Sequence, residues 1–166
     1  MSQPPDKAAN STQSWPDLAG RLVTDGAGKR HVLPIRVYFE DTDFSGLVYH
    51  ATYLRWCERG RSDFLRLMGN DHQALFGGAA GREPAAFVVR RMHLEYLKPA
   101  RIDEVLEVTT RAKATTAATL VLDQRVSRNG VDLFTAEVMV VLISASGKPM
   151  RLAIALREAL ASSKDP

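Results

Sequence analysis

The chain has 166 residues, 45% apolar and 25% charged, as is typical of one soluble globular domain. No apolar run approaches the ~20 residues that a membrane-spanning helix needs, and we expect no secretory signal because the first residues lack an apolar segment. The single cysteine, Cys57, excludes an intramolecular disulfide and favours a reducing compartment, which we take to be the cytoplasm. The net charge of +3 comes from scattered basic residues rather than a dense run, so the sequence does not indicate a nucleic-acid-binding surface.

The chain shows one change in composition. Residues 1–16 are rich in Pro, Ser, Gln and Asn, and such a segment cannot bury enough apolar surface to offset its ordering entropy. We therefore expect a disordered or loosely docked tail at 1–16. The remainder has no internal repeat, which predicts a single domain over 17–160.

The first structured part reads as two β segments followed by a loop. Leu22-Val23 and residues 32–39 flank a turn signal at Asp25-Gly26. Residues 40–48 are polar and contain a glycine, which predicts a loop.

A long amphipathic helix is predicted over about 49–69. Large apolar residues recur there with a 3.6-residue period, and Gly69-Asn70 supplies a C-terminal stop. Gly60 lies on the same stripe and weakens an isolated helix, so its position suggests close approach to another backbone. The stripe consists of Tyr49, Tyr53, Trp56, Gly60, Phe64 and Leu67.

The second half of the chain predicts an antiparallel sheet. Residues 86–96, 104–114, 118–127 and 131–143 read as strands, with a hairpin signal at Asn129-Gly130. Their connections are too short for parallel crossovers, and a short helix over 153–161 closes the chain. The predicted class is α+β, with one long helix on a sheet of about five strands.

The common catalytic signatures are missing from this sequence. It contains no G-x-S-x-G, no phosphate-binding G-x-x-x-x-G-K-[ST] and no H-E-x-x-H. The four histidines are dispersed, so no metal site is expected. Cys57 lies within the apolar stripe of the helix and is interpreted as a buried hydrophobe rather than a nucleophile.

The loop before the helix carries the candidate chemistry. It places two carboxylates, Asp41 and Asp43, and the imidazole of His50 directly ahead of a helix start. The free N–H groups of a helix N-terminus can hold a developing oxyanion, and a neighbouring Asp can act as a base or nucleophile on the carbonyl carbon held there. The alternative is that both carboxylates only make turn or capping bonds.

The sequence around this loop is specific enough to resemble a known family. Residues 36–54, with Asp-Thr-Asp-Phe-Ser-Gly-Leu-Val-Tyr-His at 41–50, continue to Glu-Arg-Gly-Arg at 58–61, and Tyr-Leu-Lys-Pro-Ala-Arg-Ile-Asp follows at 96–103. This pattern resembles the hotdog-fold acyl-CoA thioesterases of the 4-hydroxybenzoyl-CoA thioesterase group, in particular their tol-pal-system-associated branch. Phe44-Ser45 fills a variable pair and Leu47 replaces a commoner Val, and neither departure removes a charged group or an imidazole.

The resemblance implies a fold, a reaction and a set of site residues. It implies a hotdog fold with a long helix wrapped by an antiparallel sheet, assembled as a homodimer or homotetramer with the active site at a subunit interface. The implied reaction is hydrolysis of acyl-CoA to acid and CoA, with no cofactor or metal. Acyl-carrier protein is an alternative to CoA as the carrier of the acyl group. Asp43 would be the catalytic carboxylate, His50 a second functional residue, and the backbone amides of Tyr49 and His50 the oxyanion hole. Supporting roles would fall to Asp41, Gly46 and Glu58.

Several alternatives stay open from the sequence. Asp43 can serve as a general base or as a nucleophile, and Glu58 can face a partner subunit or pair with Arg61 or Arg55. Tyr53, Trp56 and Phe64 read either as core or as the lining of an acyl tunnel. A non-catalytic acyl-thioester or envelope-complex binding module, and an enoyl-thioester hydratase on the same fold, remain rival functions.

Overall fold

The structure, a computed structural model, describes residues 20–70, 72–78 and 83–161. The predicted tail at 1–16 and the first residues of the predicted domain lie outside this part. One antiparallel sheet has the strand order β1-β2-β4-β5-β6-β3. Its strands are β1 (Arg21–Asp25), β2 (Gly28–Arg36), β3 (Ala85–Tyr96), β4 (Val105–Thr115), β5 (Thr119–Arg128) and β6 (Val131–Ser144). The helices are α1 (His50–Leu67), α2 (His72–Gly77) and α3 (Ile154–Ala161), and a 3₁₀ turn covers Phe39–Asp41.

Helix α1 packs its apolar stripe on the sheet and forms the core with it. Trp56, Cys57 and Phe64 are at most 1% exposed. A Cβ on Gly60 would lie 3.1 Å from both Thr110 Oγ1 and Val108 Cγ1 of β4. Since this spacing is tighter than ordinary van der Waals contact, the glycine lets the helix approach the strand. The stripe predicted approach to another backbone, whereas the nearest atoms belong to side chains.

A buried polar network fastens α1 to the centre of the sheet. The fully buried Gln124 on β5 donates from Nε2 to the Cys57 carbonyl (2.9 Å) and to Thr110 Oγ1 (2.8 Å). Its Oε1 accepts from Arg61 Nη1 at 2.8 Å. Arg61, 5% exposed, also forms an ion pair with Glu58 through Nη2. The side chains of Thr110, Gln124 and Arg61 therefore have partners within this network, which fixes the register of the helix on the sheet.

Strand β3 lies at one edge of the sheet. Part-way along it, the set of side chains that points toward α1 changes from odd-numbered to even-numbered residues. Its pairing with β6 shifts register between Val89 and Arg91. Before the shift, Ala85 and Phe87 face α1, because they line a cavity with α1 residues, and after it Met92 and Tyr96 do. A bulged residue at position 90 reverses the alternation and keeps apolar side chains on the α1 side at both ends of the strand.

The fold confirms the predicted class and differs from the predicted elements at three points. The sheet has six strands rather than about five, and the six-residue α2 was not predicted because it is too short to show a helical period. The strand predicted over 32–39 ends at Arg36, because the Asp41 carboxylate accepts the Tyr38 N–H (2.8 Å) and turns the chain into the 3₁₀ turn. None of the helices in the described part of the chain is long and apolar enough to cross a bilayer.

Candidate active site

The loop that carries the predicted site pairs with itself and with the segment after β3. Thr42 pairs with Val48, and Leu47 pairs with Arg101, as isolated antiparallel bridges. The Val48 N–H donates to the Ala100 carbonyl at 2.9 Å. The loop is therefore held at both sides while its tip projects from the surface.

Asp43 lies in this tip and its carboxylate is oriented by a neighbouring serine. Oδ1 accepts from the Ser45 N–H at 2.8 Å and from the Ser45 hydroxyl at 2.5 Å. Gly46, at φ +74°, closes the turn by donating its N–H to the Asp43 carbonyl at 3.0 Å. The Ser45 hydroxyl, then the Ser45 amide, and more weakly the charge of His50, hold the pKa of Asp43 below its ordinary value. Among the described residues, no hydrogen bond to Oδ2 is found, so one oxygen of an ionised carboxylate faces outward.

Asp41, the other carboxylate of the pair, shapes the loop. It is buried, and its Oδ2 accepts the Tyr38 N–H. Its carbonyl accepts the Tyr49 N–H at 2.9 Å and the Thr52 hydroxyl at 3.3 Å. The loop and the start of α1 are thereby joined through one residue.

The start of α1 has free donors, but they differ from those expected. The Tyr49 N–H is already used by the Asp41 carbonyl, so the expected oxyanion-hole role of this amide is corrected. The Thr52 N–H donates to the Tyr49 carbonyl, which leaves the first two helical amides, of His50 and Ala51, without an intrahelical acceptor. No side chain caps this end and no acidic residue lies in the first turn, so its partial positive charge is not neutralised from within the helix.

His50 lies on the surface beside an aromatic cluster. Its ring centroid is 4.3 Å from that of Tyr49 and 6.4 Å from that of Tyr96. The Tyr96 hydroxyl donates to the His50 carbonyl at 3.0 Å, which ties the helix start to the end of β3. Burial raises the pKa of Tyr96, so this hydroxyl stays protonated and able to donate at neutral pH. Asp43, His50 and the first amides of α1 therefore share one surface.

Glu58 lies away from this group. It follows His50 by eight residues, about 12 Å along the helix at 1.5 Å per residue. Its side chain is 61% exposed and pairs with Arg61, one of the alternatives that the sequence left open. Tyr53, Trp56 and Phe64 are nearly or fully buried in the core cluster, so they do not line an open tunnel in this chain.

Sequence reasoning missed two residues that shape the site. Ser45 fills a variable position of the family pattern, although Asp-x-Ser is a typical signal for a side chain that bonds two residues onward. From the sequence, Tyr96 belongs only to the predicted end of a strand. No local pattern connects it with His50, 46 positions earlier in the chain.

Comparison with known proteins assigns the family. The model of the thioesterase-like superfamily matches residues 37–160, which include the whole loop and α1. The chain belongs to this superfamily. It is 44% identical over 111 residues to the acyl-CoA thioester hydrolase YbgC of Escherichia coli, covering 66% of this chain and 79% of that protein. It is 38% identical over 110 residues to the acyl-CoA thioesterase YbgC of Haemophilus influenzae, covering 66% and 78%.

A solved structure of a relative has the same fold. The crystal structure of a probable thioesterase from Bartonella henselae superposes with a TM-score of 0.71 at 44% identity, covering 75% of this chain and 99% of that one. This match and the family model confirm the predicted hotdog fold.

Proposed function

We propose that this member of the superfamily is an acyl-CoA thioesterase with Asp43 as its catalytic carboxylate. The observation that carries the proposal is the ionised Asp43, oriented by Ser45, beside an uncapped helix start with two free amides. Relatives described as acyl-CoA thioester hydrolases, at up to 44% identity, support the reaction class.

The thioester carbonyl oxygen points at the amides of His50 and Ala51. A tetrahedral intermediate places negative charge on this oxygen, and each well-aligned donor stabilises it by about 3 kcal/mol. Asp43 Oδ2 either takes a proton from the attacking water or attacks the carbonyl carbon itself to give a mixed anhydride. In both routes the C–S bond breaks, and the CoA thiolate leaves and is protonated. In the general-base route water supplies the second oxygen of the acid. In the anhydride route water that attacks the Asp43 carbonyl carbon leaves its oxygen in Asp43, and the acid departs with an oxygen of the Asp43 carboxylate. Incorporation of ¹⁸O from labelled water into Asp43 in a single turnover marks the anhydride route.

The enzyme works as a homodimer through the outer edge of β3. Within the described residues this edge pairs with no other strand, and it carries exposed apolar side chains at Val89, Leu94 and Tyr96. Such an edge is a template for another strand. A two-fold axis beside Arg90 and Arg91 pairs the two β3 strands over their full length. Because the bulge at position 90 reverses the alternation of side chains, residues that face α1 in one strand lie opposite residues that face α1 in the partner strand.

Sedimentation analysis tests the assembly. The expected mass is twice 18.3 kDa, and Leu94→Lys lowers the dimer fraction because it places a charge on the paired edge. A wild-type monomer at all concentrations contradicts the dimer, and a mass of four chains indicates a tetramer.

Finer assignments rest on the loop motif and on composition. The motif at 41–50 supports the tol-pal-associated branch of the 4-hydroxybenzoyl-CoA thioesterase group. One buried cysteine suits a cytoplasmic enzyme. The reaction as written needs only protein groups and water, so we expect turnover without an added cofactor and after treatment with a chelator.

Release of CoA from a panel of thioesters tests the activity. The panel contains acetyl-, lauroyl- and 4-hydroxybenzoyl-CoA, one acyl-carrier-protein thioester, and crotonyl-CoA assayed for hydration. Turnover of at least one acyl-CoA with equal amounts of acid and CoA supports the proposal. Hydration of crotonyl-CoA without CoA release favours a hydratase, and no reaction with any member favours a binding module.

A further inference from the structure

The peptide group between His50 and Ala51 carries one of the two free amides at the start of α1. Its carbonyl belongs to His50 and its N–H to Ala51, and this N–H has no acceptor within the helix. Because a peptide group is planar and rigid, a contact that orients the carbonyl also orients the N–H on the opposite side of the same plane. The direction of this oxyanion donor is therefore set by what binds the His50 carbonyl.

The His50 carbonyl has a side-chain partner in addition to its helical one. The α-helical pattern pairs it with the Leu54 N–H, four positions onward. The Tyr96 hydroxyl donates a second hydrogen bond to it, at 3.0 Å, from the end of β3. Since the carbonyl is already paired within the helix, the second bond is not needed to satisfy it. What the second bond adds is a fixed orientation of the peptide plane relative to the sheet.

The Tyr96 ring is itself held by buried aromatic rings. Its centroid lies 5.1 Å from that of Phe134 on β6 and 5.7 Å from that of Tyr53 on α1. Phe134 is 0% exposed and Tyr53 is 3% exposed, so the close-packed core fixes both rings. Although Tyr96 is half exposed, its hydroxyl is presented to the His50 carbonyl from a rigid support.

The same hydrogen bond strengthens the Ala51 N–H as a donor. Hydrogen bonds that form a chain polarise one another, so a donor on the carbonyl raises the partial positive charge on the N–H of the same amide. The negative charge that develops on a thioester oxygen is then met by an amide that is already oriented and polarised. Tyr96 contributes to this without touching the reacting atoms.

We infer that Tyr96 is a positioning residue for thioester hydrolysis, which acts by orienting and polarising the peptide group between His50 and Ala51. This inference rests on the proposed function. The thioester oxygen gains its charge only as the transition state forms, so the contribution of Tyr96 falls on kcat rather than on KM.

Removal of one hydroxyl tests the assignment. Tyr96→Phe keeps the ring contacts with Tyr53 and Phe134 and deletes only the bond to the His50 carbonyl. We expect kcat for the best acyl-CoA of the panel to fall about tenfold with KM within about twofold of wild type, because misdirecting a donor costs less than losing it. Tm and sedimentation mass are expected to stay at the wild-type values. Tyr38→Phe, which deletes the hydroxyl of an exposed tyrosine before the 3₁₀ turn, is the matched control and should leave kcat unchanged.

An ester at position 51 separates action through the peptide group from direct contact with the substrate. Replacing Ala51 with its α-hydroxy analogue, lactic acid, exchanges the N–H for an oxygen and keeps the methyl side chain. Alone, this change is expected to lower kcat by about 10²-fold or more, as loss of an oxyanion donor does. Adding Tyr96→Phe is expected to lower kcat by less than about twofold further, because the N–H through which Tyr96 acts is gone.

Each failure points to a different claim. An unchanged kcat in Tyr96→Phe overturns the inference, and so does an effect confined to KM or accompanied by a fall in Tm. A full tenfold loss from Tyr96→Phe in the ester background places the Tyr96 hydroxyl on the substrate itself and also overturns it. Absence of CoA release by the wild type from every thioester overturns the proposed function instead.

Discussion

The polar network between α1 and the sheet makes a quantitative prediction about stability. Gln124→Leu removes three hydrogen bonds, those to the Cys57 carbonyl, Thr110 Oγ1 and Arg61 Nη1. Arg61 is 5% exposed, so it cannot regain the lost bond from water. The change keeps the approximate side-chain volume, which separates the polar effect from a cavity effect.

The magnitude follows from the charge and burial of these groups. A buried bond to a charged donor contributes about 1.5–3 kcal/mol, and each neutral bond contributes about 1 kcal/mol. Burial of leucine offsets part of this loss. We expect Gln124→Leu to lower the free energy of unfolding by about 3 kcal/mol, equivalent to about 6–12 °C in Tm for a chain of this length. Arg61→Leu, which leaves Gln124 Oε1 unpaired, is expected to cost about 2 kcal/mol.

A double-mutant cycle in urea tests the reasoning. Because each single change leaves the other partner buried and unsatisfied, the double variant is expected to be more stable than the sum of the singles predicts, by at least about 1 kcal/mol. Additive losses would refute the claim that the two side chains depend on each other. A loss below about 0.5 kcal/mol for Gln124→Leu would refute the claim that the network holds α1 on the sheet.

Three further predictions concern single residues. Gly60→Val should lower the free energy of unfolding by about 2–3 kcal/mol in urea, because its Cβ already crowds β4, whereas Arg59→Val on the exposed face should cost under about 1 kcal/mol. Ser45→Ala removes the hydroxyl that contributes most to the lowered pKa of Asp43, so this pKa is expected to rise. The acid limb of the pH profile of kcat/KM then moves to higher pH. An acid limb that does not move contradicts its assignment to Asp43. Burial raises the pKa of Cys57 to about 12, so a thiol reagent at pH 8 should react with it only in denaturant, and rapid reaction of the native protein would contradict its burial.

The regular elements could be predicted because their signals are local. The apolar stripe gave α1 to within two residues at each end, and Asn129-Gly130 gave the β5–β6 turn, where both residues have positive φ. A close approach at Gly60 was also predicted from its place in the stripe, but the neighbours there are side chains of β4 and β5 rather than another backbone. Helix α2 was not predicted, because a six-residue helix is too short to show a helical period. The bulge in β3 was not predicted either, because it depends on how β3 pairs with β6.

The site was predicted as a group of residues rather than as a geometry. The loop motif pointed to Asp43 and His50, and the structure places His50 as the first residue of α1 and Asp43 in the loop before it. It could not show that the Asp41 carbonyl occupies the Tyr49 amide, since that bond depends on the path of the loop. The orientation of Asp43 by Ser45 and the contact of His50 with Tyr96 were missed for the same reason.

The most direct test of the account is the effect of Asp43→Asn on kcat/KM for the best acyl-CoA substrate. Glu40→Gln, a neutralised carboxylate in the neighbouring 3₁₀ turn, is the matched control. We expect Asp43→Asn to lower kcat/KM by about 10²–10⁴-fold with an unchanged Tm, and Glu40→Gln to leave both near wild type. Equal turnover by wild type and Asp43→Asn would contradict the central claim that this carboxylate performs the reaction.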